Sequence, residues 1–178
     1  MKKWNVGILG CTGMVGQRFA SLLDNHPWFN VTVLAASPRS AGKTYEEALG
    51  KRWVLDRPMP ESMKNLVVMD ASMVNKVAAL ADFVFCAVDM KKEEISALEE
   101  AYARAECPVI SNNSVNRFIP DVPMVIPELN SEHLAVIPYQ RARLGTKRGF
   151  IAVKSNCSLQ SYVPALYPLS KFGVNKVL

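Results

Sequence analysis

The residues best suited to covalent chemistry lie in Ser155-Asn156-Cys157-Ser158, which follows the apolar run Phe150-Ile151-Ala152-Val153 and precedes a helical pattern. A strand that delivers a cysteine to the first turn of a helix aims unpaired backbone N–H groups at the sulfur, which favours the nucleophilic thiolate. The competing reading is a small buried hydrophobe, the usual role of a free cysteine. A second signal sits at the other end of the chain, where Gly7-Ile8-Leu9-Gly10-Cys11-Thr12-Gly13-Met14-Val15-Gly16 places three glycines between a strand and a helix. Gly10 permits the tight turn, Gly13 lets the backbone approach a pyrophosphate, and Gly16 lets the helix close on the sheet. Thr12, Met14 and Val15 complete the turn whose helix N-terminus faces the anion. The spacing is GxxGxxG, and in this strand-turn-helix context it points to a dinucleotide.

Which dinucleotide is read at the end of the second strand, where an acidic residue would hold a ribose 2′-hydroxyl. The sequence has Ala35-Ala36-Ser37-Pro38-Arg39-Ser40-Ala41-Gly42-Lys43 there, with no acid. Ser37, Arg39 and Ser40, with Lys43 nearby, suit a 2′-phosphate, since a guanidinium grips phosphate with two charge-assisted bonds. NADP is therefore expected over NAD, against the alternative of an ordinary solvated basic loop.

These groups need a scaffold, and the apolar runs supply one. Val6-Gly7-Ile8-Leu9, Val31 to Ala35, Leu66 to Met69, Phe83 to Ala87 and Val109-Ile110 are short and nearly uninterrupted, as in strands covered on both faces. Met14 to Asn25 carries a helical stripe of Val15, Phe19, Leu22 and Leu23, and Lys91 to Arg104 carries Ile95, Leu98, Ala101 and Tyr102. The alternation predicts an α/β protein with a doubly wound, mostly parallel Rossmann sheet. After Ser111 the chain turns loop-rich, with Pro120, Pro123, Pro127 and Pro138 and one short helical segment, Ser131 to Ala135. A last strand, Gly149 to Val153, leads to the cysteine, and Pro164 should shorten or kink the helix that follows. We expect a dinucleotide-binding domain over 1–150 and the start of an α+β catalytic and dimerisation domain over 151–178. The apolar run Val174 to Leu178 begins a further pattern, from which we expect a portion of a longer protein.

The 178 residues include 49% hydrophobic and 21% charged side chains, a globular composition with no disordered tract. The formal charge of +5 is modest. Arg141, Arg143, Lys147 and Arg148 lack the aromatic platform of a nucleic-acid groove and read as a solvated loop or subunit contact. No apolar run is long enough for a bilayer and the N-terminus has no secretory pattern, so a cytoplasmic protein without membrane or nucleic-acid partners is expected. Cys11, Cys86, Cys107 and Cys157 are far apart, without CxxC pairs or histidines at ligand spacing, so no metal site and no disulfide framework is predicted.

A dinucleotide turn and a helix-start cysteine in one chain together suit oxidation or reduction of an acyl group through a thioester. Gly10 to Gly16, Ser37 to Lys43, Ser111-Asn112-Asn113-Ser114-Val115-Asn116-Arg117, Val125-Ile126-Pro127-Glu128-Leu129-Asn130 and Ser155 to Ser158, in that order, resemble the aspartate-semialdehyde dehydrogenase family, in its archaeal and fungal branch. The resemblance implies reversible NADP-dependent conversion of L-aspartate 4-semialdehyde and phosphate into L-aspartyl 4-phosphate, on the route to lysine, threonine and methionine. It implies Cys157 as nucleophile, Arg117 as the arginine that holds phosphate, Asn113 near the nicotinamide, and Ser114 and Asn156 near substrate. Glu128 and Asn130 match a Pro-Glu-x-Asn loop without an assigned chemical step. A homodimer or homotetramer of the full-length protein is implied as well.

The resemblance further implies a histidine acid/base, and arginine and glutamate substrate ligands, downstream of the cysteine. His26 and His133 read as surface residues and do not fill that role, so this chain is expected to bind NADP without completing a catalytic cycle. Leu159-Gln160 stand where relatives carry smaller residues. Malonyl-CoA or N-acetylglutamyl phosphate as the acyl substrate, and a non-catalytic nucleotide-binding module, are the alternatives.

Overall fold

Strand β1 (Trp4–Leu9) runs through the middle of the molecule because Val6, Ile8 and Leu9 are all apolar and fully buried on alternate faces. The computed structural model describes residues 2–174, 176 and 177. Strands β2 (Phe29–Ala36), β3 (Met69–Asp70), β4 (Phe83–Cys86), β5 (Val109–Ser111), β6 (Met124–Val125) and β7 (Ile151–Lys154) join β1 in one sheet of order β3-β2-β1-β4-β5-β7-β6. Every pairing is parallel. The order reverses between β1 and β4, the switch point at which doubly wound sheets open a crevice beyond the carboxyl ends of the strands.

Two layers of side chains fill the interior. On one face Leu9, Val33, Val84, Cys86, Val109 and Ile151 meet α4 (Val74–Ala78) and α5 (Lys92–Arg104). On the other Val6, Ile8 and Leu34 meet α1 (Met14–Leu23), α2 (Tyr45–Leu49) and α3 (Glu61–Lys64). Helix α5 forms where expected, with Glu93 and Glu94 in its first turn and Arg104 in its last, each sign suited to the helix dipole.

The structure corrects several expectations. The run Leu66 to Met69 forms a strand only at Met69–Asp70, because Leu66 O, Val68 N and Val68 O instead bond Tyr45 N, Lys43 O and Gly42 N. Pro127 begins a short helix, α6 (Pro127–Asn130), and the stretch after it is helical rather than loop. Ser131–Val136 is a 3-10 turn, followed by α7 (Ile137–Leu144), which carries Pro138 in its first turn, where a missing N–H costs nothing. Strand β7 is an inner strand of the same sheet, between β5 and β6. Helix α8 (Cys157–Leu166) ends two residues past Pro164 and passes into a 3-10 turn, Tyr167–Phe172. Of the apolar run Val174 to Leu178, Asn175 and Leu178 lie outside the described residues. No helix among the described residues is long and apolar enough to cross a membrane.

Two polar side chains seat β7. Buried Gln140 of α7 donates from Nε2 to Ile151 O at 2.9 Å and accepts from Ile151 N at 2.6 Å, completing backbone bonds that short β6 does not reach. Glu106, at φ +60°, accepts from the backbone N–H groups of Lys147, Arg148 and Gly149 at 2.9, 2.6 and 2.9 Å. Those three bonds to the charged form hold the Glu106 carboxyl below the ordinary glutamate range. Since folding lowers this pKa, its stabilisation is present above the unfolded-state value and is lost as pH falls through the folded-state value. Thermal melts of the wild type and Glu106→Gln should therefore differ at neutral pH and converge at about pH 2. A gap that persists undiminished in acid would contradict this.

Candidate active site

Because all strands are parallel, the segments after β1, β2, β3, β4, β5 and β7 emerge from one edge of the sheet. Asp70 ends β3, and the glycine turn, the Ser37 loop, Asp89, Asn113 and Cys157 follow the carboxyl ends of the other strands. A cavity of about 420 Å³ opens along this edge, lined by Gly10, Thr12, Gly13, Ser37, Arg39, Asp70 and Asp89 among others.

The glycines differ in what they do. Gly10 has φ +82°, and a Cβ there would lie within 2.6 Å of the Ala87 carbonyl carbon. Its N–H and that of Cys11 both donate to Ala35 O, at 2.8 and 3.1 Å, which fastens the turn to β2. A Cβ on Gly16 would lie within 2.7 Å of Cys11 Cα and nearer still to Gly10 O, so α1 sits on the turn itself. Gly13 is under no such pressure, for its Cβ would meet only Gly10 O at 3.4 Å. Gly13 lines the cavity, so a glycine here suits close approach by a ligand. Gly13 caps α1 without a side chain, and no acid lies in the first turn, which leaves the leading amides to an anion. Met14 and Val15 are exposed at that turn and do not line the cavity.

Ser37 and Arg39 are exposed on the cavity wall. Ser40 is buried, its N–H donating to Ser37 O at 2.9 Å, so it shapes the loop and does not line the cavity. Asp70 was not anticipated. It ends β3 on the cavity wall, with Oδ1 accepting from Ser72 N at 2.9 Å and Ser72 Oγ at 2.8 Å. The signal for it was available: an acid directly after the apolar run Leu66 to Met69.

The second group of residues gathers around the ends of β5 and β7. Arg117 is half-buried and spans to β7, donating from Nε to Lys154 O at 3.1 Å and from Nη2 to Ser155 O at 3.3 Å. Lys154 Nζ donates to the same Ser155 O at 3.2 Å. Burial first, and then the neighbouring guanidinium of Arg117, push the Lys154 ammonium below the ordinary lysine range, while Cys157 acts in the opposite direction. Cys157 is the first residue of α8 and is exposed. Asn156 caps the helix, its Oδ1 accepting from Ser158 N at 2.8 Å, so its side-chain oxygen is committed to holding the first turn. Ser114 is exposed in the loop before Arg117, and Asn113 is held by the buried Glu99, which sequence reasoning missed.

The other three cysteines are buried. Burial pushes the Cys11 thiol up to about 12 and the Cys107 thiol to about 11, and raises Cys86 well above the ordinary thiol range. Cys157 is therefore the one thiol open to a solute. Residues of the Pro-Glu-x-Asn loop divide: Asn130 bridges Ile126 N at 2.8 Å and Met124 O at 2.9 Å, while Glu128 is exposed. His133 is half-buried, with Nδ1 at 3.3 Å from Met124 N, and His26 is half-buried and stacked on Phe29. Neither is the free surface residue the sequence suggested; both are built into the scaffold.

The family model described as semialdehyde dehydrogenase, NAD binding domain, matches residues 5–137. The chain belongs to the semialdehyde dehydrogenase family. Among curated relatives of this family, an aspartate-semialdehyde dehydrogenase of Archaeoglobus fulgidus is 41% identical over 98% of this chain and 49% of its own length. One from Methanothermobacter thermautotrophicus is 45% identical over 93% of this chain and 45% of its own. The crystal structure of the Candida albicans aspartate semialdehyde dehydrogenase with NADP superposes with a TM-score of 0.83 at 36% identity, covering 97% of this chain and 48% of that one. A Vibrio cholerae aspartate semialdehyde dehydrogenase II complexed with ASA gives 0.69 at 26% identity, covering 96% and 48%. The chain spans about half the length of the curated relatives it matches. As a semialdehyde dehydrogenase domain, it carries a nicotinamide-dinucleotide fold whose cavity the glycine turn lines.

Proposed function

We propose that this chain is the NADP-binding and nucleophile-bearing part of an aspartate-semialdehyde dehydrogenase, acting in the cytoplasm early in the synthesis of lysine, threonine and methionine. The observation that carries the reading is the emergence of the glycine-turn cavity and the sole exposed cysteine from one edge of one parallel sheet, with Arg117 lodged beside the cysteine. The cavity suits the cofactor: Gly13 leaves room where a pyrophosphate would lie, and Arg39 and Ser37 stand at the end of β2, where a 2′-phosphate would be read. The boundary of the dinucleotide-binding unit is drawn after β7, and α8 begins the catalytic unit.

Cys157 Sγ adds to the aldehyde carbon of L-aspartate 4-semialdehyde, and the substrate ends as an acyl group on that sulfur. Bound NADP supplies the two-electron oxidant for this conversion. Arg117 holds inorganic phosphate, whose oxygen attacks the thioester carbonyl, releasing L-aspartyl 4-phosphate and returning the sulfur to Cys157. Asn156 fixes the first turn of α8 and with it the sulfur. A homodimer or homotetramer is the expected assembly.

The protein encoded by the complete gene should turn over NADP and L-aspartate 4-semialdehyde to NADPH beyond one equivalent per site only when phosphate is added. No NADPH under those conditions, with turnover of malonyl-CoA instead, would overturn the substrate assignment. Arg39→Ala should weaken NADPH binding by roughly thirtyfold, as for a lost charge-assisted pair, while NADH binding changes by no more than about threefold. Equal losses in a fluorescence titration would show that Arg39 does not read the 2′-phosphate.

A further inference from the structure

Glu99 of α5 is a fully buried acidic side chain, and its donors come from the end of β5 and the loop that follows it, with the Cys86 thiol of β4 beside them. Its Oε1 accepts from Ser111 Oγ at 2.5 Å and Asn113 Nδ2 at 3.0 Å, and its Oε2 accepts from Asn116 Nδ2 at 2.8 Å. Asn116 is itself fixed, its Oδ1 accepting from Ser96 Oγ at 3.0 Å, and Asn113 N donates to Ser111 Oγ at 3.0 Å. An apolar side chain in its place would leave these three donors without that acceptor, so Glu99 is tied to this loop by its two oxygens. What those oxygens provide is orientation.

Both hydrogens of the Asn113 amide point inward, to Glu99 and to Cys86 Sγ at 3.5 Å. The hydrogen-bond network thus decides the amide flip, and Oδ1 has no protein partner among the described residues. Asn113 follows β5, in the half of the sheet that receives the second mononucleotide of a dinucleotide. Four residues on, Arg117 docks on the carbonyls of Lys154 and Ser155 beside Cys157. One carboxylate therefore braces a loop that reaches both the nicotinamide side and the thiol side of the site.

We propose that Glu99 is a positioning residue: it braces the loop from Ser111 to Arg117 and turns the Asn113 amide so that Oδ1 is offered as acceptor to the carboxamide NH2 of the nicotinamide. The proposal rests on the dinucleotide reading above. Glu99→Gln cannot accept from both Asn113 and Asn116 with its nitrogen in place, so one of these amides loses its partner.

The test is calorimetric binding of NADPH and of 2′-phospho-ADP-ribose, which lacks the nicotinamide, to this chain. Glu99→Gln should lose roughly tenfold in NADPH affinity and less than about twofold for the truncated ligand. In an Asn113→Ala background the same substitution should cost NADPH no further affinity. Equal losses for both ligands, as a merely structural role gives, or an undiminished loss in the Asn113→Ala background, would overturn the proposal. Should Glu99→Gln not fold, Ser111→Ala removes one donor to the same carboxylate and should show the same selective loss; an unselective one would count against it. Failure of the wild type to bind either ligand would instead overturn the dinucleotide reading.

Discussion

Cys157→Ser, in the protein encoded by the complete gene, should lower phosphate-dependent turnover of L-aspartate 4-semialdehyde by at least about a thousandfold. A serine hydroxyl in that place is a far weaker nucleophile, and no adjacent side chain among the described residues is arranged to deprotonate it. None of the other three thiols of this chain can stand in, because Cys11, Cys86 and Cys107 are buried and their thiols are pushed up by burial. NADPH affinity should stay within about twofold of the wild type, since Cys157 lies outside the cavity wall. A matching labelling result is expected on the native chain, where iodoacetamide modifies Cys157 and leaves the three buried cysteines intact. Turnover within about tenfold of the wild type would exclude Cys157 as the acyl carrier.

The second large effect separates two glycines three residues apart. Gly16→Ala should destabilise the chain by about 3 kcal/mol, or prevent folding, because the new methyl meets backbone atoms of Gly10 and Cys11 that have no room to move. Gly13→Ala should fold with a normal melting temperature, since its methyl meets only Gly10 O at 3.4 Å and the backbone there, φ −78°, suits alanine. It should nonetheless lose about 2 kcal/mol of NADPH binding, roughly thirtyfold, because the methyl enters the space a pyrophosphate needs. Thermal melts paired with titrations of each variant read both effects. A Gly13→Ala chain that binds NADPH normally would remove the glycine turn from the cofactor site.

Much of this arrangement was legible in the sequence because parallel strands buried on both faces are nearly pure apolar runs. Val6 to Leu9, Phe83 to Cys86 and Val109 to Ser111 are strands in the structure, and helix α5 buries Ile95 and Tyr102 of its expected stripe. Helix α1 instead buries Gly16, Gln17, Ala20 and Leu23 and leaves Val15 and Leu22 of its expected stripe exposed, because the close seat of Gly16 on the turn rotates that face toward the sheet. The third strand was misjudged because Leu66 and Val68 pack their side chains into the core beside α2 and α3 while their backbone pairs with the segment Gly42 to Tyr45 beside the sheet. Helix α7 was missed because Pro138 was read as a breaker, although a proline in the first helical turn removes no bond. The place of β7 was not legible because spatial order in a sheet is invisible to a linear pattern; β7 enters between β5 and β6.

The site was legible in its chemistry and less so in its supports. Glycines at turns, a lone Arg39 and a helix-start cysteine announce themselves by type and spacing. Glu99 does not, among five acidic side chains between Asp89 and Glu100. Yet it lies four residues after Ile95 and three before Tyr102, on the buried stripe of its own helix. An acid in an apolar stripe needs partners, and here they come from the loop beside the cysteine. Gln17 and Gln140 follow the same rule, each buried on a helix face and bonded to the backbone of a neighbouring segment.

The central claim, that Cys157 carries the acyl group, is tested most directly by mass spectrometry of the complete protein incubated with L-aspartate 4-semialdehyde and NADP without phosphate, then quenched in acid and digested. An aspartyl thioester is expected on the peptide containing Cys157, and it should disappear when phosphate is added before the quench. Turnover with phosphate but no adduct on that peptide, or an adduct on another residue, would contradict it.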